Sequence, residues 1–288
     1  MVTIFRETNK ITAQLQQWQS AGLSVGLVPT MGSLHAGHLA LVKAAVAHHD
    51  KVVVSIYVNP TQFAAHEDLD NYPRSFEADC SSLALYGEAL SIFAPLSLYG
   101  DSHSTMISPQ GVALGLEGNH RPHFFTGVAT VVFRLFQAVP ANRAYFGEKD
   151  YQQLAVIKQM VRDFDLPIAI AAVPTVRQAA GLALSSRHAY LQADEFDIAK
   201  RLYQEMVKSA HDIKQGMAVA TSMAQAKLAL QKAGFGEIDY LLWCDAHQLR
   251  PVTDIRDDSR LLVAIWLGKT RLIDNDSYKS LCAVSPAG

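Results

Sequence analysis

The sequence predicts an α/β protein in which a Rossmann-like, doubly wound parallel sheet precedes a smaller α+β domain. Three observations carry that expectation. Short, unbroken apolar runs alternate with helical stretches as far as Val173, and strands covered on both faces show continuous rather than alternating hydrophobicity. After Pro174 the pattern changes to two long helical stretches and then three strand-like runs, the grammar of helices on a small antiparallel sheet. A chain of 288 residues, 49% of them hydrophobic, has material for about two domains. The boundary is expected between Pro174 and Leu191, giving domains over residues 1–175 and 176–288.

The elements follow in order. Thr8 is placed to cap a first helix whose Ile11, Leu15 and Trp18 recur at helical spacing, with Gly22 ending it. Leu23–Val28 reads as a strand stopped by Pro29, and Ala36–His48 as a helix. Lys51–Val58 is the clearest strand because it is β-branched almost throughout. A helix near Phe76–Leu85, a strand at Leu90–Ala94, a buried helix over Gly127–Ala138, with Val132, Phe133 and Phe136 as core, and a short strand at Arg143–Phe146 follow. An amphipathic helix over Tyr151–Phe164 and an apolar run at Ile168–Val173 complete a five-stranded parallel sheet. In the second domain, helices over Ala193–Ile213 and Ala218–Lys232 lead to strands at Ile238–Trp243, Leu261–Leu267 and Thr270–Asp274, the last two joined by a tight turn at Gly268-Lys269.

Composition excludes several classes. The formal charge is −2, from 25 basic and 27 acidic residues, with no basic run, which argues against a nucleic-acid binder. The three cysteines, Cys80, Cys244 and Cys282, form neither a disulfide framework nor a CxxC motif, and the N-terminus lacks the apolar core of a signal peptide. No apolar stretch approaches the ~20 residues that a bilayer requires. A cytoplasmic protein without membrane contact is expected.

Doubly wound sheets bind ligands beyond the carboxyl ends of their strands, so the residues just after each strand matter most. The first strand runs into Pro29-Thr30-Met31-Gly32-Ser33-Leu34-His35-Ala36-Gly37-His38. His35 and His38, three apart, share one face of the opening turn of the next helix. Free backbone N–H groups and the positive end of the helix dipole suit that place to phosphate. Imidazoles there could donate to charge developing on phosphorus; two helix-capping histidines are the bland alternative. Zinc would want HExxH or a third ligand, and neither is visible.

Asn59-Pro60-Thr61-Gln62 after the next strand offers two amides to a small polar ligand, or is ordinary turn chemistry. Gly147-Glu148-Lys149-Asp150 combines close backbone approach with a point charge for phosphate, and Gln153 lies four residues beyond Lys149. The alternative there is a helix start capped by Asp150 with Lys149 solvated. Leu184-Ser185-Ser186-Arg187, near Gly181, could clamp an anion or merely open a helical turn. Arg121, in Arg121-Pro122-His123-Phe124, is a further anion candidate. Without GxSxG a serine nucleophile is not expected, and without Walker A or GxGxxG a nucleotide must rest on HxGH and Ser-Ser-Arg. Asp68, Asp70 and Asp79 read as solvated charges, and His48, His49, His66 and His103 as surface residues.

These stretches together resemble the pantoate–β-alanine ligase (pantothenate synthetase) family, within the HxGH nucleotidylyltransferase and class I tRNA-synthetase superfamily. The matching segments are Pro29–Val42, Val54–Phe63, Asn71–Asp79, Gly127–Val132, Tyr145–Val161, Gly181–Leu191 and Leu267–Asn275, in family order across nearly the whole chain. HxGH and Ser-Ser-Arg indicate only the superfamily; GEKDYQQL and VNPTQF narrow it.

The resemblance implies ATP and pantoate sites in the first domain, a second domain closing over ATP, and a homodimer. The implied reaction joins (R)-pantoate and β-alanine through pantoyl adenylate, with AMP and pyrophosphate released and Mg²⁺ arriving with ATP. By position, Met31, Gly32, Ser33, Leu34, His35, Ala36, Gly37 and His38 would contact ATP, with His35 and His38 at phosphorus and His38 as proton donor. Gly147, Glu148, Lys149 and Asp150 would also bind ATP, Lys149 touching phosphate. Val176 would pack near adenine, and Leu184, Ser185, Ser186 and Arg187 would grip the outer phosphates. Gln62 and Gln153 would hold pantoate, Gln62 lying near β-alanine, with Asn59 and Arg121 supporting.

Three segments depart from the family pattern. His188 stands where Asn is usual after Ser-Ser-Arg. RExDG becomes Arg177-Gln178-Ala179-Ala180-Gly181, and Phe124 and Thr126 occupy the usual His and Arg positions of RPGHFRGV. A nucleotidylyltransferase of the same superfamily, whose product keeps the nucleotide, and a non-catalytic nucleotide-binding homologue are the competing readings. The lack of basic residues near Asn59 and Gln62 counts against the former.

Overall fold

The structure, a computed structural model, describes residues 2–63, 69 and 75–286. Two compact units are present, one of Met1–Glu148 with Gln153–Pro174 and the other of Lys149–Gln152 with Thr175–Gly288.

In chain order the first unit contains β1 (Thr3–Phe5), α1 (Thr8–Ser20), β2 (Val25–Thr30), α2 (Ala36–Val46), β3 (Lys51–Ile56), α3 (Phe76–Ala84), β4 (Leu90–Phe93), α4 (Glu117–His120), α5 (Phe124–Ala138) and β5 (Arg143–Gly147). It then holds most of α6 (Tyr151–Asp163), and β6 (Ala169–Val173). All pairings are parallel and the strand order is β1-β4-β3-β2-β5-β6. The connections run outward from β2 through β3 to β4 and then return to the other side at β5, so the order reverses at β2. A crevice beyond the carboxyl ends of β2 and β5 is where such sheets bind ligands. Leu27, Val28, Val52, Val53, Val54 and Ile92 of the sheet are fully buried, as a sheet covered on both faces requires.

The sheet has six strands where the sequence predicts five. The additional edge strand β1 is three residues long, too short to show a period, and is held by Thr3, Ile4 and Phe5 pairing with Ser91, Ile92 and Phe93. Glu7, and not Thr8, is the N-cap of α1, and its side chain makes no capping bond. Ile11 and Leu15 are buried as their spacing predicts, whereas Trp18 is only half-buried. Helix α5 starts at Phe124, three residues earlier than expected.

His49 is also placed differently. Its ring lies against β2, with Cδ2 2.8 Å from where a Cβ on Gly26 would stand, and meets Tyr145 edge-on at 5.8 Å between centroids. Both ring nitrogens and the Tyr145 hydroxyl are buried with no hydrogen-bond partner among the described residues. His103 is half-buried with Nε2 enclosed, His48 is exposed, and His66, Asp68 and Asp70 lie outside the described residues. Burial first, then the Arg143 charge, holds the His49 imidazole below its ordinary value of 6.5. Below that value the unfolded chain takes up a proton that the folded chain refuses, so stability falls as pH drops from about 6.5 towards the folded-state value. His49→Gln is expected to flatten this slope, read from urea midpoints at several pH values between neutral and mildly acidic.

The second unit carries α7 (Ala193–Lys214), α8 (Val219–Lys232), β7 (Ile238–Cys244), β8 (Arg260–Leu267), β9 (Thr270–Ser277) and α9 (Tyr278–Ala283). Its strands form an antiparallel sheet in the order β7-β8-β9. Leu267 pairs with Thr270 across the Gly268-Lys269 turn, as expected. Leu202, Met206, Trp243, Val263 and Ile265 fill its core. The cysteines are free, and no helix among the described residues is long and apolar enough to cross a membrane.

Candidate active site

The chain leaves β2 through a turn that only particular residues can make. Gly32 and Ser33 both have positive φ, 86° and 52°, a left-handed pair for which glycine in the first place removes the steric cost. Thr30 anchors the turn from below, its hydroxyl donating to the Ser55 carbonyl at 2.6 Å and accepting from the Gly32 N–H at 3.2 Å. Asp79 of α3 completes it: Oδ2 accepts from the Ser33 N–H at 2.9 Å and Oδ1 from the Leu34 N–H at 2.8 Å. Asp79 is only 2% exposed, which corrects its reading as a solvated charge. Its burial follows from satisfying two backbone donors at once.

The imidazoles sit one step further on. His35 is the N-cap of α2, and its Nδ1 accepts from the Gly37 N–H at 3.1 Å. His38 Nδ1 accepts in turn from the His35 N–H at 3.3 Å. A neutral ring whose Nδ1 accepts must carry its proton on Nε2, so both rings are set as Nε2–H donors. The half-buried rings lie 4.1 Å apart between centroids, tilted by 35°. Gly37 is required for this packing, because a Cβ there would stand 2.8 Å from His35 Cε1.

One expectation changes. The N–H groups of Gly32, Ser33, Leu34, His35 and Gly37 are taken by Thr30, Asp79 and the two imidazoles, so this turn does not offer a fan of free backbone donors. The further donors of this turn are the ring Nε2–H groups.

After β3, Asn59 is 1% exposed and its amide is spent within the protein. Asn59 Oδ1 accepts from the Tyr99 hydroxyl at 2.9 Å and from Thr61 Oγ1 at 3.0 Å. Nδ2 donates to the Gly127 carbonyl and to Gln62 Oε1, both at 3.2 Å. The Gly127 carbonyl and the Thr61 N–H, which donates to Oδ1 at 3.4 Å, therefore fix the Asn59 amide, and Asn59 fixes that of Gln62, whose Nε2 donates to Met31 Sδ at 3.1 Å. Burial pushes the Tyr99 phenol above its ordinary range. Arg121 follows α4 and grips the same loop, donating to the Gln62 carbonyl at 3.2 Å and to Glu117 at 3.3 Å. Its guanidinium stacks on Phe124 at 3.9 Å, so this departure from the family pattern packs against the loop-holding arginine. Gly127 allows α5 to approach the loop: a Cβ there would come within 2.5 Å of the Thr61 carbonyl oxygen and 2.7 Å of the Gln62 backbone.

Gly147 ends β5, and Glu148–Asp150 form a single 3₁₀ turn before α6, on which Gln153 is half-buried. Within the second unit the Lys149 carbonyl accepts from Asn275 Nδ2 at 2.8 Å, and Lys149 Nζ lies 3.7 Å from Asp150. Arg260 stacks on Tyr151 at 3.8 Å, while the Tyr151 hydroxyl donates to the Ala246 carbonyl. Val176 and Leu184 face each other across a hairpin, Leu184 N–H donating to the Val176 carbonyl at 2.9 Å. Ser185 caps the 3₁₀ turn Ser186–Tyr190, accepting from the Arg187 N–H at 3.2 Å. His188 meets Phe196 edge-on at 5.8 Å.

The sequence matches the family profile described as pantoate-beta-alanine ligase over residues 3–277. The chain belongs to the pantoate–β-alanine ligase family. It is 47% identical over 277 residues to a pantothenate synthetase of Caulobacter vibrioides, with 94% of this chain and 97% of that protein covered. A crystal structure of pantothenate synthetase from Thermus thermophilus superposes with a TM-score of 0.89 at 41% identity, over 96% of this chain and 99% of the other. The pantoate-beta-alanine ligase of Francisella tularensis, solved with beta-gamma ATP and beta-alanine, gives 0.80 at 32% identity over the full length of both.

Within this ligase-family fold, the structure brings His35, His38, Gly32, Ser33 and Leu34 together with Asp79, and Met31, Asn59, Gln62 and Arg121 together with Tyr99 and Gly127. Sequence reading missed Asp79 and Tyr99. Neither lies within a local spacing that could have disclosed its partner, 46 and 40 residues away.

Proposed function

We propose that the chain joins pantoate and β-alanine at the expense of ATP, by way of pantoyl adenylate. A carboxylate oxygen of pantoate attacks the α-phosphorus, the bond to the α–β bridging oxygen breaks, and pyrophosphate leaves. The β-alanine amine then attacks the acyl carbonyl, loses a proton, and AMP departs as pantothenate forms. The observation that supports this best is the pair of imidazoles 4.1 Å apart, with Nδ1 of each committed to the backbone. Two Nε2–H donors held this way can meet charge as it develops on phosphate oxygens without reorganising. His38 is assigned the proton donor and His35 its partner in charge stabilisation.

Gln62, its Oε1 occupied by Asn59, presents an N–H donor and so suits an acceptor such as the pantoate carboxylate. In this reading Asn59 and Arg121 hold Gln62 in place, and Gln153 adds a second amide. In the same reading Met31–His38, Gly147, Glu148, Lys149, Asp150 and Val176 are assigned to ATP, Lys149 by its charge to phosphate, and Leu184, Ser185, Ser186 and Arg187 to the outer phosphates. Mg²⁺ would arrive with ATP, carried chiefly by the triphosphate, where it would neutralise charge. The reading extends to a cytoplasmic homodimer; light scattering tests the dimer.

Exchange of labelled pyrophosphate into ATP is expected only when pantoate is present, and net AMP formation only when β-alanine is added. ADP, or a product that keeps the nucleotide, overturns the assignment. Gly127→Ala is expected to displace the Gln62 loop and to lower kcat/KM for pantoate by ~100-fold, the scale of a misplacement of about 1 Å. Steady-state kinetics with pantoate varied would check it.

A further inference from the structure

We infer that Asp79 is a positioning residue for the two imidazoles, acting through the turn that carries them. The inference rests on the proposed chemistry at His35 and His38, and it concerns a buried carboxylate that this chemistry does not use.

The geometry leads from Asp79 to the rings in three steps. The carboxylate accepts two consecutive N–H groups, those of Ser33 at 2.9 Å and Leu34 at 2.8 Å. Those residues follow the positive-φ glycine and immediately precede His35. The His35 N–H then donates to His38 Nδ1, and the Gly37 N–H to His35 Nδ1. The orientation of both rings thus depends on where the backbone of residues 33–37 lies, and Asp79 holds the start of that segment. Asp79 is held in turn: Ser75 Oγ donates to Oδ1 at 3.1 Å, and the Asp79 N–H donates to the Ser75 carbonyl at 2.8 Å. Gly32 lets the carboxylate close in, its notional Cβ being 3.1 Å from Asp79 Oδ2.

A carboxylate is the only side-chain group of this size that can accept from two donors at once without presenting one of its own. In Asp79→Asn one oxygen becomes an NH₂ facing a backbone N–H, and the turn must move. The nearby Gln62–Met31 contact involves neither Ser33 nor Leu34, so the effect should fall on the chemistry at phosphorus more than on pantoate binding.

The test uses the full-length protein. Asp79→Asn is expected to slow single-turnover formation of pantoyl adenylate by ~100-fold, with KM for pantoate changed less than about threefold. Imidazole ¹⁵N NMR should show the Nε2–H tautomer at His35 and His38 in the wild type, which their accepting Nδ1 atoms call for, and a departure from it in the variant. Ring spectra and adenylate rate both matching the wild type would overturn the inference, as would a loss of stability with the per-site rate unchanged. Wild-type turnover is measured alongside, so a failure of the proposed chemistry and a failure of Asp79's role are read separately. Should the variant not fold, amide exchange in the wild type decides: strong protection of the Ser33 and Leu34 N–H groups supports the inference, and free exchange overturns it.

Discussion

Replacing His38 with alanine is expected to slow adenylate formation by 10²–10³-fold, because a preorganised donor aimed at transition-state charge contributes about 2.7–4 kcal/mol. The loss should appear in kcat and in kcat/KM alike, with KM for ATP little altered, the signature of an interaction made in the transition state. His38 has two tasks that must be separated. Nδ1 closes the capping box by accepting from the His35 N–H at 3.3 Å, and Nε2 carries the donor. In His38→Asn the amide oxygen can replace Nδ1, but nothing reaches the position of Nε2. This variant should keep the fold of α2 and be as slow as alanine. His38→Gln places an N–H nearer to Nε2 and should recover part of the rate. Single-turnover measurements on the three variants check this; full activity in His38→Asn would move the role of His38 from chemistry to capping.

Local pattern carries most of the fold and much less of the site. The parallel sheet was legible because β2, β3 and β4 are mostly apolar and do not alternate with polar residues, and the second unit because its helices precede a two-residue turn between apolar strands. The histidine turn was legible because glycines and imidazoles crowd into eight residues after a strand. What supports that turn was not. Asp79 contacts residues 45 and 46 positions earlier, and Tyr99 reaches Asn59 across 40. No periodicity joins such partners. An aspartate in the first turn of a helix looks solvated, since acidic residues favour that place for the dipole alone. The same limit hid the role of Gly127, whose missing side chain matters because α5 lies against the loop at Gln62. It also hid His49, whose neighbour Gly26 leaves room for a ring on an otherwise continuous strand. Free N–H groups at the start of α2 were expected from the general property of helix ends. Side chains 2–46 residues distant take them instead.

The second large effect is structural and belongs to the second unit. Arg177 donates from both terminal nitrogens to Asp274, at 2.7 and 2.9 Å, and to the carbonyls of Gly181 and Asn275. It also stacks on Tyr203 at 3.9 Å, whose hydroxyl donates to Asp276 at 3.1 Å. The Asp274 side chain is 1% exposed and that of Arg177 14%. Burial alone would lower the guanidinium, but the Asp274 carboxylate keeps it above its ordinary value, and burial likewise pushes the Asp274 carboxyl up against the pull of Arg177. Gly181 belongs to the same arrangement: its φ is +90°, and a Cβ there would stand 2.2 Å from the Tyr203 ring. Arg177→Met removes the partner and leaves a buried carboxylate, which costs about 3–5 kcal/mol. Denaturation followed by tryptophan emission, to which Trp243 in the core of this unit contributes, should show the loss. Asp274 without Arg177 holds its proton to higher pH than the unfolded chain does. The deficit should therefore be largest near neutrality and shrink as pH falls through the raised carboxyl value. Arg177→Met with Asp274→Leu should recover much of it at neutral pH, because two apolar groups leave no charge unpaired. A double variant as unstable as the single one would show that the carbonyl bonds of Arg177, and not its ion pair, hold the hairpin of residues 176–184 to β9.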